Sequence, residues 1–315
     1  MSDSRTRTST RRPDAGRTVA VLGATGQQGG AVSAALLTAG WTVRAVVRDP
    51  GGSRARSLAA AGAEVVRGDL ADPGSLRAAF AGVHGVFSVQ PSSGQAGAGL
   101  SHDDEVRYGV AVADAAEDSG ARHLVYSSMI AAGPVSTGVR HFDVKSRIEE
   151  HVRGLGMTTT VVRPATFMEL LLTATDPGRG ELTFLMRPDQ AMQLVAVQDI
   201  GRVTAAVLGA PGQFGGRTVE IAGDALTGTE IADRLTRAAR RPITYRRLPQ
   251  ALLDQDEVLA RSVALVDDGR LAGRADLAGL RAAFPFLLRF DQWLAGPGRA
   301  PLLDALGGPP PAGPA

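Results

Sequence analysis

Residues 18–30 read TVAVLGATGQQGG, and the fold follows from how this stretch is parsed. A short β-branched run from Thr18 leads into Gly23, Gly26 and Gly29, spaced GxxGxxG, and alanine and leucine then recur with helical period to residue 39. A strand that enters a helix through such glycines leaves the first helical N–H groups unpaired. The glycines let the backbone turn tightly and come close to a pyrophosphate held by those N–H groups. Because the chain has 39 glycines, the spacing carries weight only through the strand before it and the helix after it.

The same alternation continues outward. The runs WTVRAVV, AEVV, GVFSV, RHLVYSS and MTTTVVRP alternate with helical patterns over 27–39, 53–61, 73–81, 102–119 and 141–154. This predicts an α/β fold, a doubly wound parallel sheet of the Rossmann-like kind, over 18–165. Beyond it the pattern loosens into ELTFLM, a helix after Asp199, RTVEIAG, a helix opened by Thr227 and Glu230 as a capping box, and ITYRRL. A smaller C-terminal α/β lobe over 166–300 is expected to cover the carboxyl ends of the strands, where ligands of such sheets bind.

Composition excludes several classes of function. At 315 residues, 44% hydrophobic and 21% charged, the chain is long enough for one large domain with an appended lobe. A net charge of +2 argues against nucleic acid or membrane as the main partner and leaves a small-molecule substrate. The absence of cysteine excludes disulfides and thiolate sites and suits a reducing, cytoplasmic compartment. Residues 1–17 carry the twin arginine Arg11 and Arg12 ahead of an apolar run too short and glycine-broken for an export signal; they are expected to form a disordered basic leader. Residues 301–315, ending LGGPPPAGPA, are expected to form a flexible tail.

The second strand ends at Arg48, where folds that prefer NAD usually carry a carboxylate for the ribose 2′-hydroxyl. A guanidinium there pairs with a 2′-phosphate, which favours NADP(H), while the adjacent Asp49 leaves NAD(H) possible. After the third strand, Asp69 and Leu70 stand where a loop meets an adenine ring, and Asp72 has the place of a helix N-cap.

Lys145 is the only lysine in the chain. On a helical wheel Val144, Ile148, Val152 and Leu155 form an apolar stripe with His141 at its centre and Lys145 at its edge. A chain that uses arginine for every other cation keeps a compact ammonium where a planar guanidinium cannot substitute.

The segments GATGQQGG, VVRDP, GDLAD, LVYSSM, HFDVKSRIEEHVRGLG and TTVVRPATFMELLL, in this order over 18–260, together resemble the NmrA-like family, an atypical branch of the short-chain dehydrogenase/reductase superfamily. The resemblance implies an NAD(P)-binding core, in a family that holds NADPH-dependent quinone reductases and also dinucleotide sensors acting through a protein partner. It implies a phosphate loop at Gly23, Ala24, Thr25, Gly26, Gln27, Gln28 and Gly29, a 2′-phosphate contact at Arg48 and an adenine contact at Asp69 and Leu70. Val89, Gln90 and Pro91 would run along the dinucleotide, Ala165, Thr166, Phe167 and Met168 would approach the nicotinamide, and Lys145 would bond its ribose. The superfamily's catalytic pair is spaced YxxxK, and here His141 stands in the tyrosine's place, with Ser127 or Ser128 as the assisting serine.

The substitution shapes the expected chemistry. Imidazole, with a reference pKa of about 6.5, suits proton transfer near neutrality, though a nearby ammonium disfavours its cation. Hydride transfer to a quinone gives a stabilised phenolate that water protonates, so a missing tyrosine is compatible with activated acceptors and counts against simple ketones. The expectation is therefore a reductase of quinone-type acceptors with Lys145 and His141 as its catalytic residues; a non-catalytic NADP(H) sensor and an isomerase or dehydratase on the same fold are the alternatives. No metal is expected: His102, Asp103, Asp104 and Glu105 read as a helix start capped by Ser101. The arginines of RRPITYRRL read as a solvated face.

Overall fold

The computed structural model describes residues 17–95 and 99–307. The leader over 1–16 and the last eight residues lie outside them. The first half is an unbroken alternation: β1 Thr18–Val21, α1 Gln27–Thr38, β2 Thr42–Val47, α2 Ser53–Ala60, β3 Glu64–Arg67, α3 Pro73–Phe80, β4 Gly85–Ser88, α4 His102–Asp118, β5 His123–Ser127, α5 Arg140–Arg153 and β6 Thr158–Pro164. The second half is shorter-grained. It runs β7 Thr166–Phe167, α6 Met168–Thr173, β8 Thr175–Asp176, β9 Glu181–Phe184, β10 Ala191–Val195, α7 Val197–Gly209, α8 Pro211–Phe214, β11 Thr218–Ile221 and β12 Asp224–Thr227. It closes with α9 Gly228–Ala239, β13 Thr244–Arg247, α10 Gln250–Leu253, α11 Glu257–Asp267, α12 Leu277–Ala283, α13 Phe290–Ala295 and α14 Arg299–Ala305.

The main sheet has the order β3-β2-β1-β4-β5-β6-β11, with every pairing parallel. Strand order reverses between β1 and β4, which opens a crevice above their carboxyl ends. One face is covered by a core that includes Val19, Val43, Val32, Leu36 and Ile200; the other carries Ala20, Val86, Leu124, Leu76, Val112 and Ile148. The helices start where their chemistry directs. Asp72 accepts from the N–H groups of Gly74 and Ser75, and Ser101 with Asp104 and Thr227 with Glu230 form reciprocal capping boxes. Two small sheets, β12-β10-β7 and β13-β9-β8, make up the C-terminal part.

The division expected at residue 165 is redrawn by packing. β11 pairs with β6 as an edge of the main sheet, and α7 lies against α1 so closely that a Cβ on Gly201 would stand 2.3 Å from the Ala31 carbonyl oxygen. The second half thus contributes a strand and a helix to the nucleotide-type fold, and its own apolar residues, such as Leu182, Leu226, Leu235 and Trp293, share one core with β1 and β2. A boundary drawn from periodicity cannot see a chain that leaves a sheet and returns to it. The first residues of the tail expected from 301 are instead helical, because α14 continues to Ala305, and Leu302 and Leu306 are buried; residues 308–315 of it lie outside the described residues. Among the described residues no helix is long and apolar enough to cross a membrane.

Candidate functional site

The crevice at the switch point is a cleft of about 850 Å³. Its wall brings together Gly23, Thr25, Gly26, Gln27, Gln28 and Gly29 from the glycine turn, Arg48, Leu70, the run Val89, Gln90 and Pro91, and Phe167. These residues come from five separate places in the chain. The parallel sheet converges them because each follows a strand at the same edge.

The glycine turn has no room for side chains. Gly23 sits at φ +61°, and a Cβ there would lie 2.8 Å from Val89 Cγ1; one on Gly29 would lie 2.3 Å from the Gly23 carbonyl oxygen. The Gly26 N–H donates to that carbonyl at 2.8 Å and tightens the turn. α1 then begins at Gly26 with no side-chain cap and no acidic residue in its first turn. An uncapped helix start facing a cleft presents bare N–H donors and the positive end of the helix dipole to an anion. Ala24 lies behind the turn, buried.

The ambiguous pair Arg48 and Asp49 is separated by local geometry. Asp49 Oδ1 accepts from the Gly51 N–H at 2.9 Å within its own turn, while Arg48 is exposed and lines the cleft. Arg54, from the first turn of α2, joins it there, with Nη1 donating to the Thr25 carbonyl oxygen at 3.3 Å. Leu70 reaches the cleft and Asp69 does not, since Asp69 Oδ1 accepts from the Ala71 N–H at 2.9 Å. Gly68 stands beneath them, where a Cβ would lie 2.4 Å from Val46 Cγ1.

At the other end, Gln90 is buried; its Nε2 donates to Ser88 Oγ at 2.8 Å, and its Oε1 has no hydrogen-bond partner among the described residues. Ser127 Oγ donates to Gln28 Oε1 at 2.7 Å, tying β5 to the glycine turn, so Ser127 acts on the cleft through Gln28. Ala165 is buried with its N–H donating to the Ile221 carbonyl oxygen, and Thr166 Oγ1 is turned to Met192 Sδ. Of this run Phe167 faces the cleft, beside Leu170. Met168 is fully buried.

Lys145 and His141 are not in the wall. They meet it at one remove, through the turn that follows Pro91. Lys145 Nζ is 2.6 Å from Glu105 Oε1, and Glu105 Oε2 accepts from the Ser93 N–H at 2.6 Å. His102 Nδ1 and Ser93 Oγ are 2.8 Å apart, and a Cβ on Gly94 would lie 2.5 Å from the His141 ring. His141 is half-buried, edge-on to Phe142. Burial, and then the neighbouring His102 and Lys145, hold its pKa below the usual histidine value against the opposing pull of Glu105 and Asp143. It is therefore neutral at neutral pH and a weaker base than a free imidazole.

Sequence reasoning missed Arg54 and Leu170 in the wall and Glu105 behind it. Two of these left a signal. Arginine in the first turn of a helix opposes the dipole unless an anion faces it, and Arg54 occupies such a place. Glu105 is in phase with Gly109, Val112 and Ala116, the buried stripe of α4. The acids around it go elsewhere: Asp104 caps the helix and Asp103 pairs with Arg147 at 3.2 Å. Within RRPITYRRL, Arg246 pairs with Glu181 at 2.8 Å and Arg247 with Asp267 at 2.6 Å, and Arg240 and Arg246 are exposed.

The residues present fit a dinucleotide: a cradle that a Cβ would fill, an uncapped helix start, two guanidiniums at one end and an unpartnered buried amide oxygen at the other. Comparison with known proteins points the same way. The NmrA-like family pattern matches residues 15–270. The chain is 32% identical to an NAD(P)H azoreductase of Xenophilus azovorans over 228 residues, covering 72% of this chain and 76% of that protein. Among solved structures, an NADPH-dependent quinone oxidoreductase of Escherichia coli complexed with NADPH superposes with a TM-score of 0.73 at 24% identity, covering 88% of this chain and 98% of that one. NmrA, a negative transcriptional regulator solved in complex with NADP, superposes with a TM-score of 0.70 at 23% identity, covering 89% and 94%. At these identities the two structures speak for the fold.

Proposed function

The chain belongs to the NmrA-like family, and from that premise we propose that it is an NADPH-dependent reductase that passes a hydride to a quinone or a similarly activated small-molecule acceptor. The observation that carries this reading is the cleft itself, which joins the glycine cradle and two guanidiniums to an apolar floor of Pro91, Phe167 and Leu170. When bound, the reduced nicotinamide supplies the hydride. The first N–H groups of α1 bind the pyrophosphate, and Arg48 with Arg54 binds a 2′-phosphate by charge-assisted hydrogen bonds. Lys145 Nζ donates to the nicotinamide-side ribose with the protons its ion pair leaves over. Phe167 and Leu170 keep water from the face where a flat, apolar acceptor lies.

His141 in place of tyrosine supports this acceptor class. A carbonyl reduced to an alkoxide needs a proton at once, whereas a quinone reduced by hydride becomes a hydroquinone anion that bulk water protonates. The azoreductase and quinone-reductase activities of the similar proteins support an electron-poor acceptor. The same substitution also favours a second reading, a sensor that binds the dinucleotide without turnover and signals to a protein partner. NADPH oxidation followed at saturating cofactor across quinones, azo dyes and simple ketones separates them. Turnover with quinones or azo dyes and none with ketones is expected. Tight NADPH binding with no turnover on any acceptor would leave the sensor.

A further inference from the structure

Glu105 is fully buried, and both its carboxylate oxygens are committed, one to Lys145 and one to the Ser93 amide. The two partners matter for different reasons. Ser93 belongs to the turn whose neighbours Pro91, Ser92 and Gln95 line the cleft, and Lys145 is the chain's single ammonium. An ion pair this short fixes where the ammonium sits, and so which atoms its N–H donors can reach. The ion pair is seated by close helix packing: a Cβ on Gly109 of α4 would lie 2.6 Å from Ile148 Cδ1 of α5. We propose that Glu105 is a positioning residue for the cofactor site, aiming the Lys145 ammonium and pinning the 91–95 turn with one carboxylate.

The reading rests on Lys145 meeting the dinucleotide. Lys145 is 8% exposed, and Glu105 is in ion-pair contact with its ammonium. A neutral glutamine would still accept from the Ser93 amide, but without the charge that holds the ammonium in place.

The test compares NADPH affinity in the full chain, Glu105→Gln, Lys145→Met and the double variant. Glu105→Gln is expected to lower affinity about tenfold when Lys145 is present and far less in the Lys145→Met background, where the ammonium it positions is gone. A merely structural glutamate would cost the same in both backgrounds. Should Glu105→Gln fail to fold, Glu105→Asp decides in the same cycle: it keeps the charge but is too short to reach both partners, so a loss several-fold larger with Lys145 than in the Lys145→Met background is expected. Unchanged affinity, or an equal loss in both backgrounds, in whichever variant folds would overturn the inference. Absence of NADPH binding in the unaltered protein would instead sink the functional reading beneath it.

Discussion

In the proposed function the choice of cofactor rests on two arginines, one legible in the sequence and one hidden. Arg48 announces itself by ending the second strand, but Asp49 beside it argues for the opposite cofactor. Asp49 instead turns into its own Asx turn, where Oδ1 accepts from the Gly51 N–H. Arg54 comes to Arg48's side only because α2 turns back over the glycine loop. Since both are solvent-facing and a charge-assisted bond to phosphate is worth about 1.5–3 kcal/mol, Arg48→Ala and Arg54→Ala should each weaken NADPH binding about tenfold or more. NADH, which lacks the 2′-phosphate, should bind both variants as it binds the unaltered chain. Parallel titrations of the two cofactors check this, and an equal loss for NADH would assign the arginines to the pyrophosphate instead.

The helices divide into those whose surroundings were readable and those whose surroundings were not. α1 through α5 fall within a residue of their expected limits because each combines an apolar stripe with a strand on either side, so local preference and tertiary need agree. α7 was anticipated as a helix and misplaced as part of a separate lobe. Its position depends on Gly201, whose missing side chain lets two helix backbones touch. Gly201→Ala pushes a methyl against the Ala31 backbone, which cannot yield as a side chain would. Overpacking of this kind costs about 1–3 kcal/mol. Urea denaturation should show that loss, and a variant as stable as the parent would mean that α1 and α7 can slide apart freely.

Across the molecule, the sheet is held together in one place by a neutral histidine. His123 on β5 is fully buried, with Nε2 2.8 Å from Thr160 Oγ1 on β6. That hydroxyl donates its one proton to the Phe214 carbonyl oxygen at 2.9 Å, so the imidazole must be the donor at Nε2. Nδ1 has no partner among the described residues, and a proton placed there would be buried unsatisfied. Burial, with a smaller push from His84, depresses the pKa to about 4. The unfolded chain, with a histidine pKa of about 6.5, binds the proton first. The stability is therefore fully present above pH 6.5 and is lost as pH falls from there to about 4, by about 3 kcal/mol in all. His123→Gln keeps a donor for Thr160 and removes the titration. Its denaturation midpoint should fall less than the parent's over that range, and parallel curves would show that other groups govern acid unfolding.

Fold class was decided along the chain, because glycine spacing, β-branched runs and helical periods are local properties that a strand-turn-helix reads out within about a dozen residues. The single lysine, the absent tyrosine and the capping boxes were legible for the same reason. The rest depended on pairs of residues far apart in sequence. Whether Ser127 faces a ligand or its own surroundings follows from its bond to Gln28, which forms only when β5 and the glycine turn come together. The return of β11 to the main sheet and the burial of Glu105 against Lys145 are likewise decided by packing between elements. Periodicity tells which side of a helix is apolar; only the assembled layers tell what that side meets.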